Sequence, residues 1–168
     1  KVGKTAGGNV IVVEASAPKV IRPEAANPQL SGWEAHVLEI LQRLLQAPRG
    51  RDARALDYVF KAYPFFEVLF ELDVEGVQTH GNWINPAMYG RIRAGGVGVN
   101  RCGQSYFAYV RDSGQAFVSP IYLSSATEDF CLTIAVPVRS TGGRFAGVLV
   151  GDLNLASMAS LLENRLPA

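Results

Sequence analysis

The chain has 168 residues, 48% apolar and 18% charged, enough to bury the core of one ordinary domain and too apolar for wholesale disorder. Lys plus Arg is 16 and Asp plus Glu is 15, a net charge of +1, so no strong overall field draws nucleic acid or an anionic membrane. The longest apolar stretches, such as 145–150, are far too short to span a bilayer, and no signal-peptide layout is visible.

Residues 1–30 mix Gly, Pro and Ala with one apolar run at 10–13, and read as an arm or linker before a single domain over 31–168. The abrupt opening at Lys1 suggests a fragment of something longer. Ser31 and Glu34 have the spacing of a capping box, and Trp33, Val37, Ile40, Leu41, Leu44 and Leu45 then recur on one helical face. Pro48 and Gly50 end that helix. A second helix over 52–63 carries Leu56, Val59, Phe60 and Tyr63 at i, i+3, i+4 and i+7, and Pro64 stops it.

From Phe66 the period becomes two: Phe66, Val68, Phe70 and Leu72 alternate with Glu67, Leu69 and Glu71, a strand with one drier face. Residues 73–76 read as a turn and 77–80 as the returning strand. The glycines and asparagines of 81–104 predict a long irregular segment, uncommon inside a domain and usually functional. A short helix over 105–113 is capped by Gly114, and strands are expected over 116–123, 130–139 and 144–154. Their short connections make neighbours antiparallel. A last helix runs from about 156 to 165. The sum is an α+β domain with five antiparallel strands.

Catalytic and cofactor motifs are mostly absent. Val2-Gly3-Lys4-Thr5 lacks the preceding glycine and strand of a phosphate-binding loop. Gly95-Gly96-Val97-Gly98 is followed by Arg101 where a dinucleotide fingerprint needs glycine. His36 reads as a packed or half-exposed helix residue. His80 and Cys102 could form a Cys–His hydrolase dyad only if the fold brought them together. The two cysteines, Cys102 and Cys131, permit one bridge in an oxidising compartment and two thiols otherwise, and have no metal-ligand spacing. Arg43, Arg49, Arg51 and Arg54 read as a solvated face. No cofactor, metal or nucleic-acid partner is expected.

Taken as one string, the C-terminal half carries a resemblance. Asn100-Arg101-Cys102-Gly103-Gln104-Ser105-Tyr106-Phe107 precedes Ser119-Pro120-Ile121-Tyr122, then the strand ending Val136-Pro137-Val138 and the run Gly147-Val148-Leu149-Val150-Gly151-Asp152. Their order and spacing resemble the Cache family, also described as PDC or extracytoplasmic PAS-like sensor domains, over about 66–162. The resemblance implies a PAS-like antiparallel sheet with N-terminal helices and a pocket-covering loop, which 81–104 would supply. It also implies a non-catalytic ligand-binding domain of a chemoreceptor, histidine kinase or cyclic-di-GMP enzyme, periplasmic or alternatively cytoplasmic, whose output domain lies elsewhere.

Ligand residues carry over in part. The arginine that binds a ligand carboxylate in amino-acid-sensing members is replaced by Gln104, and an acid after the strand tyrosine by Ser124. Tyr106, Phe107, Tyr122 and Asp152 are kept, and Arg101 could substitute for the missing guanidinium if the loop turns it inward. An amine or purine therefore fits this set better than an amino acid or organic acid. The alternative within the same fold is a ligand-free dimerisation module with Trp33, Val37 and Leu41 forming an interhelical seam.

Overall fold

The computed structural model describes residues 32–47 and 50–163. The 1–30 arm, its apolar run, the Lys4 motif, Ser31 and the end of the last helix lie outside the described residues. Helix α1 (Gly32–Gln46) buries Val37, Leu38, Ile40, Leu41 and Leu44. Helix α2 (Ala53–Ala62) begins at Asp52, whose carboxylate accepts the Ala55 N–H at 2.9 Å, and buries Leu56, Val59 and Phe60. Both apolar faces lie on the domain's own sheet, with Trp33 packed against the same core. This corrects the expected seam: Val37 and Leu41 are 2% and 0% exposed within this one chain, so they cannot meet a partner.

The sheet has six strands, one more than expected: β1 (Phe66–Leu72), β2 (Trp83–Ile84), β3 (Phe117–Val118), β4 (Tyr122–Leu123), β5 (Phe130–Arg139) and β6 (Phe145–Asn154). Their order is β2-β1-β6-β5-β3, with β4 also on β5, and every pairing is antiparallel. Two predicted elements are redrawn. The strand expected over 116–123 is split, because Pro120 has no N–H to give a ladder. At the break, Ser119 Oγ accepts the Thr133 N–H at 2.8 Å. The expected return at 77–80 meets β1 through Thr79, whose N–H and Oγ1 donate to Glu71 O at 3.0 and 3.3 Å, and through an isolated bridge between Leu72 and Gln78. Further along β1, Val68 and Leu69 pair instead with Ile84 and Trp83.

Helix α3 (Ser105–Ser113) has the predicted bounds and ends on Gly114 at φ 67°. It packs on the face opposite α1 and α2, where Phe107 and Val110 join Val68, Phe70, Ala135, Val148 and Val150. Strand β1 is therefore dry on both faces rather than one. A register shift between Phe66 and Val68 leaves Glu67 as an extra residue against β6. Helix α4 (Leu155–Glu163) follows β6 directly, with Asn154 Oδ1 accepting the Ser157 N–H at 3.0 Å. Among the described residues, no helix is long and apolar enough to cross a membrane.

Candidate functional site

A cavity of about 660 Å³ opens on the α3 face of the sheet. Its floor is built by strand alternation: Val68 and Phe70 of β1, Asp152 of β6 and Thr133 of β5 point to that face. Val68 lies opposite Asp152, and Asp152 opposite Thr133, so the three form one row across the sheet. One wall comes from the start of α3 with Gln104 and Tyr106, a second from the 119–126 segment with Tyr122, and Asn82, Ile92 and Arg101 come from the 81–104 segment. That segment thus meets the expectation of a pocket cover.

Asp152 is the electrostatic centre of the floor. Thr133 Oγ1 donates to Asp152 Oδ1 at 2.7 Å, and the Tyr122 hydroxyl lies 3.0 Å from Thr133 Oγ1. Burial raises the Asp152 carboxyl above the ordinary carboxylate range, the Thr133 and Tyr122 hydrogen bonds oppose this, Glu67 adds to it, and Arg101 opposes it. Tyr106 is pushed up to about 12 by burial, partly offset by Arg101. The Tyr122 phenol is likewise raised, by burial and then by Asp152. Both tyrosines therefore present neutral hydroxyls to the cavity at physiological pH.

Glu67 also lines the cavity but is committed internally. Its Oε1 accepts from Asn154 Nδ2 at 3.0 Å, and its Oε2 from Thr127 Oγ1 and Cys131 Sγ, each at 3.4 Å. Arg91 of the covering segment donates to the Thr127 carbonyl and reaches Asp129 Oδ2 at 3.1 Å. Asn154 joins this group to the first turn of α4, since its Oδ1 is that helix's cap.

Of the six residues expected from sequence, Arg101, Gln104, Tyr106, Tyr122 and Asp152 line this one cavity. Phe107 does not: it is 0% exposed and packs with Val110 against the sheet, because it falls on the inner face of α3. Gln104 is the cap residue of α3 yet makes no side-chain capping bond. Arg101 is turned inward, its guanidinium 4.7 Å over the Phe70 ring. Sequence reasoning missed Thr133, Glu67 and the 119–126 wall apart from Tyr122. A carboxylate near the start of an otherwise largely apolar strand was the available signal for Glu67.

The other candidates are not assembled. His80 engages Thr79 Oγ1 at 2.9 Å and stacks on Trp83, and no hydrogen bond joins it to Cys102 among the described residues. Both cysteines are free thiols, Cys102 exposed and Cys131 buried. Among the described residues, no group of three or more His, Cys, Asp or Glu side chains is placed to hold a metal.

No family model matches the sequence, and no curated protein does. Solved structures do. The ligand-binding domain of the Pseudomonas aeruginosa amino acid chemoreceptor PctC, in complex with GABA, is 18% identical over 79% of this chain and 58% of that one, with a TM-score of 0.54. The Campylobacter jejuni chemoreceptor Tlp3 domain, with 4-methylisoleucine, is 12% identical over 81% and 56%, with a TM-score of 0.57. Bacillus subtilis YkuI, a protein with an EAL domain, is 17% identical over 76% and 32%, with a TM-score of 0.53. The chain thus spans little more than half of the two chemoreceptor domains and a third of YkuI. At these identities the likeness establishes the fold, which is the PAS-like sheet of the Cache sensor domains.

Proposed function

We propose that this domain is a non-catalytic sensor module that binds a small ligand bearing an ammonium group, with the signal read by an output domain outside this chain. The observation that carries the reading is Asp152, a carboxylate raised by burial on the floor of a cavity of about 660 Å³. A buried carboxylate with two hydroxyl partners still has acceptor capacity left, and a cation beside it would relieve the cost of its ionisation. Glu67, with its oxygens held by Thr127, Cys131 and Asn154, adds negative potential without offering itself as the anchor. Tyr106 and Tyr122 supply aromatic walls suited to an organic cation.

Arg101 at the cover supports a second, acceptor-bearing end on the same ligand. Its inward guanidinium stands in for the arginine absent at position 104, so amino acids return to the candidate ligands beside simple amines and purines. The solved domains above hold GABA and 4-methylisoleucine, which support that class by analogy of fold only. Ligand closure would act on the covering segment and, through Arg91, Thr127 and Asn154, on the first turn of α4. An extracytoplasmic setting fits the chemoreceptor analogy.

Amide NMR spectra of the domain with pooled amines, amino acids and purines test the reading. Perturbations centred on Thr133, Asp152, Tyr106 and Tyr122 are the expected result. Binding that perturbs only residues outside the cavity would overturn it.

A further inference from the structure

Gln78 is a polar side chain with 1% exposure, placed where the covering segment folds back on the end of β1. Its backbone N–H donates to Val99 O and its carbonyl accepts from Gly98 N, both at 2.9 Å. The side-chain amide is more informative. Nε2 donates to the His80 carbonyl at 2.8 Å and to Asn82 Oδ1 at 2.9 Å. Asn82 is itself oriented, because its Nδ2 donates to the Arg93 carbonyl at 3.1 Å. Two acceptors therefore demand the NH2 group on that side, and the Gln78 oxygen must point the other way. There Oε1 accepts from Arg101 Nε at 3.2 Å. The opposite amide orientation would set oxygen against two acceptors and NH2 against a guanidinium.

We infer that Gln78 is the positioning residue that fixes Arg101 in the cavity, making the pocket's guanidinium and the closure of its cover one unit. The inference deepens the ligand-binding reading above and rests on it for its functional meaning. Arg101 is held by its backbone N–H on Gly76 O at 2.8 Å, its Nε on Gln78, its guanidinium over Phe70 and a side-chain hydrogen bond with Tyr106. With Nε committed, the terminal nitrogens, beside the Tyr106 hydroxyl, are the ones positioned to meet an acceptor group on a ligand. A long side chain fixed before binding loses less freedom when the ligand arrives. Gly96 closes the arrangement from above, at φ +99°, where any Cβ would overlap the Gln78 amide. The anchor is thus delivered from the cover, four residues before the start of α3, and a glutamine far back in the sequence holds it there.

Arginine Nε–Hε exchange in the ligand-free domain tests this, with the Arg101 signal assigned by its loss in Arg101→Lys. In the wild type that proton is expected to exchange at least tenfold more slowly than that of exposed Arg93. In Gln78→Leu its exchange should speed up to the Arg93 rate. In Gln78→Glu it should stay protected, because one carboxylate oxygen still accepts from Arg101 although both donations are lost. A role confined to packing would make the Leu and Glu variants alike, and protection retained in a folded Gln78→Leu variant would overturn the assignment. If Gln78→Leu does not fold, Asn82→Ala removes one of the two acceptors that orient the amide; a faster Arg101 exchange supports the inference and an unchanged rate overturns it. No ligand enters this experiment, so its failure leaves the sensor reading standing, and a failed ligand search leaves this result standing.

Discussion

Thr133 and Asp152 face each other across the β5–β6 ladder, and the threonine's only hydroxyl proton goes to Asp152 Oδ1 at 2.7 Å. The Tyr122 hydroxyl lies 3.0 Å from Thr133 Oγ1 and also within hydrogen-bonding reach of Asp152. The row Tyr122–Thr133–Asp152 thus gathers two hydroxyls around one carboxylate in the cavity.

The ligand-free domain keeps this carboxylate at a cost. A carboxyl raised in the fold contributes stability below its unfolded pKa, and loses that contribution as pH rises through its folded pKa. Asp152→Asn preserves an acceptor for Thr133 and removes the ionisation. Thermal melts should show Asp152→Asn above the wild type at pH 7, with the two converging below a pH of about 4, the ordinary carboxylate range. A variant less stable than wild type at both pH values would contradict the account.

Affinity for an ammonium ligand should follow the opposite course. Binding needs Asp152 ionised, so affinity rises with pH through the raised pKa and then levels off while the ligand amine stays protonated. Titration calorimetry of any cationic hit across that range checks the sign. An affinity that falls with rising pH would place the cation elsewhere.

Asn154 couples the Glu67 cluster to α4. Asn154→Ala deletes the helix cap and the donor to Glu67, a loss of about 1–3 kcal/mol in urea unfolding. Asn154→Asp keeps a cap acceptor but sets a carboxylate against Glu67 and Asp129, which Asn154 Nδ2 bridges at 3.0 and 3.3 Å. Its stability deficit should shrink as pH falls, whereas that of Asn154→Ala should not.

The two thiols should differ sharply. Burial, and then Glu67, push Cys131 up to about 12, and its side chain is 0% exposed. Native alkylation at neutral pH followed by peptide mapping should modify Cys102 alone, with Cys131 labelled only in denaturant. Rapid labelling of Cys131 in the folded domain would show that the Glu67 cluster opens readily.

Gly147 occupies φ +149° beside the end of β1, where a Cβ would overlap the Leu72 carbonyl oxygen. Both partners are backbone in the centre of the sheet, so Gly147→Ala has no flexible group to yield. Circular dichroism melts should show a loss of more than about 2 kcal/mol, larger than the few tenths typical of exposed glycine sites.

Periodicity made much of the fold legible. The β5 and α3 bounds follow from the turn formers on either side of 130–139 and from Gly114, because strong local signals coincide there with the tertiary arrangement. The resemblance, and not periodicity, brought Tyr106, Tyr122 and Asp152 together. What escaped was long-range. Nothing local says that Trp83 and Ile84 rather than 77–80 would take the β1 ladder, or that Pro120 would break a strand and leave Ser119 to serve Thr133. Phe107 was misread for a related reason: adjacent aromatics on a helix face different ways, and only the packing of α3 decides that Tyr106 meets the cavity while Phe107 meets the core.

The central claim is that this cavity binds a small cationic ligand through Asp152. A thermal-shift screen of amines, amino acids, purines and organic acids against wild type and Asp152→Asn tests it most directly. The account predicts stabilisation by one or more ammonium-bearing compounds, about 2.7 kcal/mol at ~100 times Kd, and its loss in Asp152→Asn although that variant is folded. Stabilisation confined to anions, stabilisation that survives Asp152→Asn, or none in any class would contradict it.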